Sequence, residues 1–254
     1  MKKILFITFF LLMPLFSFEI NASASTTQRF KFEKTGQAFW EVKTKEKLVA
    51  LTFDDGPHPF FTPKILDILE KYHAKATFFV TGLKAEQYPD LIKREFAEGH
   101  EIANHTYNHH FQDNLNPRIL SDEIKKADKA IKRITGVTPS LFRPVGGYYN
   151  DSVIKTAVQN QKTVIIWTWG QDSRDWKNPP VSQICDSVLK GVKPGNIILF
   201  HDWHGDQFSK KCSTTKALET ILEDLKNHGY KCVTMSELLY RTSKMIPDKY
   251  HIYP

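Results

Sequence analysis

From Leu48 onward, short apolar and often β-branched runs alternate with stretches of helical spacing, and this alternation limits the fold more than any other feature. Seven runs read as strands: Leu48–Phe53, Ala76–Val80, Glu101–Ala103, Ser140–Phe142, Thr163–Thr168, Asn196–Phe200 and Lys231–Thr234. Between them, Thr62-Pro63 and Asn116-Pro117 each set a capping side chain before a proline at the first helical position. Ile65, Leu66, Ile68 and Leu69 form one apolar helical stripe, and Leu218, Ile221, Leu222 and Leu225 form another. Gly229 follows the second stripe, where a helix end favours a left-handed residue. The repetition predicts an α/β fold on a mostly parallel sheet, with an open sheet and a barrel equally compatible. In both architectures the chemistry sits at the carboxyl ends of the strands.

Composition narrows the class. With 41% hydrophobic and 25% charged residues in 254, the chain is neither disordered, nor collagen-like, nor a polytopic membrane protein. A single domain with a full core is expected. The formal net charge of +7 is spread rather than clustered, which speaks against nucleic acid and for anionic polymers. Lys2-Lys3, the apolar stretch Ile4 to Phe18 and Ala22-Ser23-Ala24 have the layout of a secretory signal peptide over residues 1–24. The apolar stretch is short for a membrane span, so no stable span is expected after cleavage. Residues 25–46 read as an N-terminal extension anchored by Phe30, Phe32, Phe39 and Trp40, residues 47–241 as the main domain, and 242–254 as a C-terminal tail. Three cysteines are too few for a disulfide scaffold. A helix between Cys212 and Cys232 holds them roughly 20 Å apart, which leaves Cys185–Cys212 as the pair that could bridge.

Five polar clusters carry reactive side chains, and four begin where an expected strand ends. Thr52-Phe53-Asp54-Asp55-Gly56-Pro57 puts two carboxylates side by side, which repel unless a cation or an arginine is near. His105-Thr106-Tyr107-Asn108-His109 spaces two imidazoles by four residues, so a helical turn would aim both at one divalent metal, with Asp55 completing the set. Arg143-Pro144-Val145-Gly146-Gly147 offers a guanidinium to hold a carboxylate ionised and glycines for close backbone approach. Asp172-Ser173-Arg174-Asp175-Trp176 adds carboxylates beside a flat apolar wall, and Leu199-Phe200-His201 ends a strand on an imidazole. His58, His110 and His204 read as solvent-facing or rim residues.

TFDDG, HTYNH, RPVGG, DSRDW and LFH, in this order, resemble the five motifs of the polysaccharide deacetylases (carbohydrate esterase family four, the NodB-homology domain) over roughly residues 47–240. The resemblance implies a distorted (β/α) barrel and metal-dependent hydrolysis of an N-acetyl group from an amino-sugar polymer. By position it implies Asp54 as general base, Asp55, His105 and His109 as metal ligands, and Arg143 as the residue orienting the base. It also implies Asp175 tuning His201 as general acid, with Trp176, Leu199, Pro144 and Gly146 lining the substrate pocket. The third motif usually carries an aromatic where Gly146 stands, and Tyr148 and Tyr149 are the candidates to fill that space. Zinc is the expected metal, with cobalt, nickel or manganese compatible with the same donors.

The expected protein is a secreted or wall-associated monomeric deacetylase of peptidoglycan N-acetylglucosamine. Chitin oligomers are the alternative substrate, and a non-catalytic wall-glycan binder the alternative class. An iron oxygenase would use the same two-His-one-carboxylate set, but leaves the second aspartate and His201 without a task.

Overall fold

The computed structural model describes residues 28–111, 116–203, 205 and 207–242. The signal segment, the tail from 243 and His204 lie outside them. Strands β1 (Ala38–Phe39), β2 (Leu48–Asp54), β3 (Ala76–Val80), β4 (Glu101–Asn104), β5 (Leu141–Phe142), β6 (Thr163–Ile165), β7 (Ile197–His201) and β8 (Lys231–Cys232) pair in parallel throughout. Their order is β1-β6-β5-β4-β3-β2-β7, with β8 joining β2 at its lower end. Each of the seven expected runs contains a strand. The two-residue β1 has too little pattern to be read in advance.

The strands close into a distorted barrel through an irregular seam. After β6 the chain runs beside β7: Thr168 N–H donates to Ile197 O, Leu199 N–H to Gln171 O, and Ser173 N–H to Leu199 O, at 3.0, 2.9 and 3.1 Å. This excursion ends β6 at Ile165 rather than at the expected Thr168. It also leaves β7 paired on both edges, which a parallel sheet with polar backbone groups requires.

Helices cover the outside: α1 (residues 28–34), α2 (Phe61–Lys71), α3 (Gly82–Gln87), α4 (Pro89–Ala97), α5 (Pro117–Thr135), α6 (Asp151–Gln159), α7 (Val181–Leu189), α8 (Ser213–Asn227) and α9 (Met235–Thr242). Asn116 caps α5 as expected, its side chain accepting from Arg118 N–H at 2.9 Å, and Gly229 takes a positive φ of 76° just past α8. Thr62 does not cap α2. Its hydroxyl donates instead to Asp202 Oδ2 at 2.5 Å and accepts from His58 N–H at 2.7 Å, so α2 starts at Phe61 without a side-chain cap.

All seven residues of β2 are buried, as expected for a strand covered on both faces. Its odd positions Val49, Leu51 and Phe53 face the helices, packing with Ile65, Leu66, Leu69, Leu218, Ile221 and Leu222. Ala50 belongs to the interior cluster with Phe79, Ala103, Leu141, Ile165 and Ile197, which Met235 and Leu238 of α9 also join. The two-residue period therefore directs Thr52 and Asp54 inward, and likewise Leu199 and His201 of β7. Cys185, Cys212 and Cys232 are all free. The Cys185–Cys212 bridge is not formed, because the Cys185 thiol is buried in the α7–α8 contact, 3.8 Å from Ala217 O.

Candidate active site

Asp54 and His201 are register partners at the carboxyl ends of adjacent strands, so their side chains leave the barrel wall next to each other. Arg143, directly after β5, crosses the interior to reach Asp54 and is completely buried. Its Nη1 donates to Asp54 Oδ1 at 2.6 Å and to Thr52 Oγ1 at 2.8 Å. Nε and Nη2 donate to Ile165 O and Ile166 O at 3.0 and 3.3 Å. The guanidinium is thus fixed at four points, and the second oxygen of the carboxylate it holds lies 3.9 Å from His105 Nε2. Burial lowers the pKa of Arg143, and the Asp54 charge opposes that fall.

Asp55 begins the turn after β2 with φ of 76°. Its Oδ1 lies 3.2 Å from His105 Nε2 and 2.8 Å from His109 Nε2. His105 Nδ1 donates to Arg143 O at 2.8 Å, and since a carbonyl only accepts, the proton sits on Nδ1 and Nε2 presents its lone pair. Burial opposes ionisation of Asp55, but the hydrogen bonds and charge of the two imidazoles, when these are protonated, hold it well below the usual carboxylate range. Three donors within 4.8 Å of one another, two imidazole nitrogens and one ionised carboxylate, suit a divalent metal.

The two histidines converge without the helical turn their spacing predicts. Residues 105–110 form a loop in which Thr106 and His109 have φ of 68° and 61°. Side chains hold that loop in shape. Asn104 Oδ1 accepts from Thr106 N–H at 2.8 Å, and Glu123 of α5 accepts from the N–H groups of Tyr107 and Asn108 at 3.1 and 2.7 Å. Thr106 Oγ1 accepts from His109 N–H at 3.1 Å.

His201 Nδ1 is 2.8 Å from Asp175 Oδ1, and its backbone N–H donates to Asp175 Oδ2 at 2.9 Å. Thr214, in the first turn of α8, donates to the same oxygen at 2.8 Å. Burial alone would lower the His201 pKa, but the Asp175 hydrogen bond and charge, with Asp55 and Asp54, raise it to about 9. The imidazolium form therefore prevails at neutral pH.

The pocket residues are brought to the same end. Leu199 is buried one inward position below His201, and Pro144 is buried beside Arg143. Trp176 stands exposed on the 3-10 turn Asp175–Lys177, and Gly146 is exposed on another such turn, Val145–Gly147. The space above Gly146 is not taken by Tyr148 or Tyr149. Tyr149 packs edge-on against Trp40 at 4.7 Å, while Phe111 Cε1 lies 3.2 Å from where a Cβ on Gly146 would be. At Gly147 a Cβ would stand 2.4 Å from the Trp167 ring, so only glycine fits there.

His110 is exposed, as its reading as a rim residue requires, but His58 is fully buried. Its Nδ1 accepts from the N–H groups of Phe60 and Phe61 at 3.0 and 3.3 Å, and its ring stacks on Phe61. The sequence reading assigns no role to Thr52, Asn104, Glu123 or Thr214. Thr52 shares the inward parity of Asp54, and Asn104 accepts from the backbone two residues on, both legible signals; Glu123 and Thr214 act from distant helices and carry none. Lys84 was likewise unforeseen: its ammonium donates to Asp55 O at 2.6 Å and lies 3.7 Å over the Trp203 ring.

Comparison with known proteins agrees with this geometry. A sequence profile described as polysaccharide deacetylase matches residues 41–165. A peptidoglycan-N-acetylglucosamine deacetylase of Bacillus cereus is 45% identical over 211 residues, covering 83% of this chain and 97% of that protein. The crystal structure of a peptidoglycan N-acetylglucosamine deacetylase bound to a naphthyl N-hydroxybenzamide is 34% identical, with a TM-score of 0.77, over 85% of this chain and 99% of that one. A family-four pseudoenzyme from Bacillus anthracis is 31% identical with a TM-score of 0.72, over 80% of this chain and 68% of that one. With its barrel, its strand-end motifs and a relative of this identity over most of its length, the chain belongs to the polysaccharide deacetylase family, hydrolases of linear amide C–N bonds.

Proposed function

We propose that this protein is a secreted, divalent-metal-dependent N-deacetylase that hydrolyses the acetamide of N-acetylglucosamine residues in peptidoglycan. The observation that carries the reading is the separation of tasks at one barrel end. An arginine-held carboxylate (Asp54), a His–His–Asp donor set, and an aspartate-backed imidazole (His201) converge there. A family pseudoenzyme shares the fold, so turnover is argued from these side chains and not from the barrel.

Asp55, His105 and His109 would hold the metal, zinc by default. A divalent cation there supplies Lewis acidity, acidifying water and polarising a carbonyl. Asp54, oriented by Arg143, accepts the proton of the attacking water. As the water oxygen bonds to the acetyl carbon, the C–N bond weakens. His201 as imidazolium then gives its proton to the departing nitrogen, so acetate and a free amine leave. Asp175 stabilises the charged ring and fixes its tautomer, as the buried carboxylate does in other acid–base pairs. Leu199 and Trp176 supply apolar surface for the acetyl methyl.

Export is supported by the basic, apolar and small-residue sequence of residues 1–24, and a wall substrate by the basic charge. No helix among the described residues is long and apolar enough to cross a membrane. The test is acetate release from purified peptidoglycan and from chitin oligomers. Release from peptidoglycan at the higher kcat/KM is expected, preference for chitin oligomers would reassign the substrate, and no release from either would leave a glycan-binding protein.

A further inference from the structure

Phe111 is a large apolar side chain left 68% exposed at the mouth of the metal-ligand set. Its ring meets the His109 imidazole edge-on, with centroids 6.5 Å apart. On its other side the ring covers Gly146, with Cε1 and Cδ1 3.2 and 3.7 Å from the position a Cβ would take. Gly146 therefore gives up a side chain where Phe111 provides a ring. With a contact of 3.2 Å, any other residue at 146 would push the ring by a few tenths of an ångström, and its φ of 64° disfavours one as well. The two segments come from different strand ends, the loop after β4 and the turn after β5, which the His105–Arg143 hydrogen bond also ties together.

An exposed phenyl ring next to catalytic polar groups gains nothing for the folded chain by itself, since its apolar surface stays in water. It gains when an apolar ligand face covers it. The C–H face of a pyranose ring is such a face, while its hydroxyls stay free for hydrogen bonds. We propose that Phe111 is a substrate-binding residue: its ring, seated on Gly146 beside His109, is the platform on which the reacting N-acetylhexosamine ring packs. This rests on the deacetylase reading for the identity of the sugar, but not for the geometry of the platform.

Binding of the N-acetylglucosamine tetramer to the metal-loaded chain, measured by calorimetry in the Asp54→Asn background, isolates the contact from turnover. Phe111→Ala should weaken binding about tenfold, and Phe111→Trp should restore it. In the active chain the same change should appear in KM, with kcat within about twofold and metal content unchanged. Equal affinity of Phe111→Ala and the parent overturns the proposal, as does a loss that Trp fails to restore or that tracks lost metal through His109. Acetate release with Phe111-independent binding refutes the platform alone. Phe111-dependent binding without acetate release refutes the deacetylase reading alone, and absence of both refutes the two together.

Discussion

At the scale of single residues, Asp54 and Asp55 are chain neighbours with different partners, although both carboxylates lie within 3.9 Å of His105 Nε2. Asp54 directs its carboxylate to Arg143 at 2.6 Å, and Asp55 directs its own to His105 and His109. Asp54→Asn should keep the metal and lower acetate release by ~10²–10⁴-fold, whereas Asp55→Ala should lose the metal. Elemental analysis beside activity checks this, and equal metal loss in both variants would sink the division of labour. Arg143→Ala, on the sequence alone, looks like a milder Asp54→Asn. Its burial changes that expectation, because the variant strands the 4% exposed Asp54 without a counter-charge. Such a loss destabilises by about 3–5 kcal/mol, so thermal unfolding should report it before activity does. His201 gives a pH-dependent prediction. Its imidazolium persists up to about 9, so kcat should fall as pH rises through that region. Asp175→Asn removes the first supporting charge and should move the alkaline limb toward or below the ordinary 6.5, with a pH–rate profile as the measurement. An unmoved limb would mean another group sets it.

At the scale of elements, the loop after β4 shows how a helix can shape a metal site it never touches. Glu123 of α5 accepts two backbone N–H groups and donates nothing, and Asn108 Nδ2 adds a third bond at 2.7 Å. Without these acceptors the left-handed residues Thr106 and His109 have little to hold them, since neither is a glycine. Glu123→Ala should therefore weaken metal binding by ~10–100-fold, as supporting residues around metal ligands commonly do, while leaving helical circular dichroism intact. Competition against a chelating dye measures it; unchanged affinity would show the loop to be held by Asn104 and Thr106 alone. The first turn of α8 acts similarly on the opposite wall, since Thr214 fixes the second oxygen of Asp175.

At the scale of the whole molecule, two buried acidic groups, Asp202 and Glu95, set how stability depends on pH. Asp202, next to His201, lies so close to Gly56 that a Cβ there would stand 2.1 Å from its carboxylate oxygens. Burial raises the pKa of Asp202 to about 7. Glu95 of α4 is fully buried, and neither of its oxygens has a hydrogen-bond partner among the described residues. Burial, with the charges of Asp202 and Glu98, raises its pKa well above 4.5. The folded chain thus keeps protons that the unfolded chain releases, and stability should decline as pH rises above the ordinary carboxylate range. Glu95→Met, similar in volume and apolar, should raise Tm by a few degrees, roughly 2–4 °C per kcal/mol gained, and flatten that decline. Calorimetry across the pH range decides it, and a lower Tm at alkaline pH would show that Glu95 is needed as an acceptor for water.

The sequence by itself determined the parallel α/β architecture, because strand and helix periods are local properties of the chain. It also determined that reactive residues gather at one end, because the motifs fall where apolar runs stop. Asp54, Asp55, His105, His109, Arg143, Asp175 and His201 were all legible in this way. Only the tertiary structure decided how the barrel closes, since the 168–173 seam is made by backbone bonds to a strand some thirty residues on. It alone decided that a loop rather than a helical turn converges the histidines, that His58 is buried, and that Phe111 instead of a tyrosine covers Gly146. Each of these depends on contacts between segments distant in sequence, and spacing along a chain carries no record of which distant surfaces will meet.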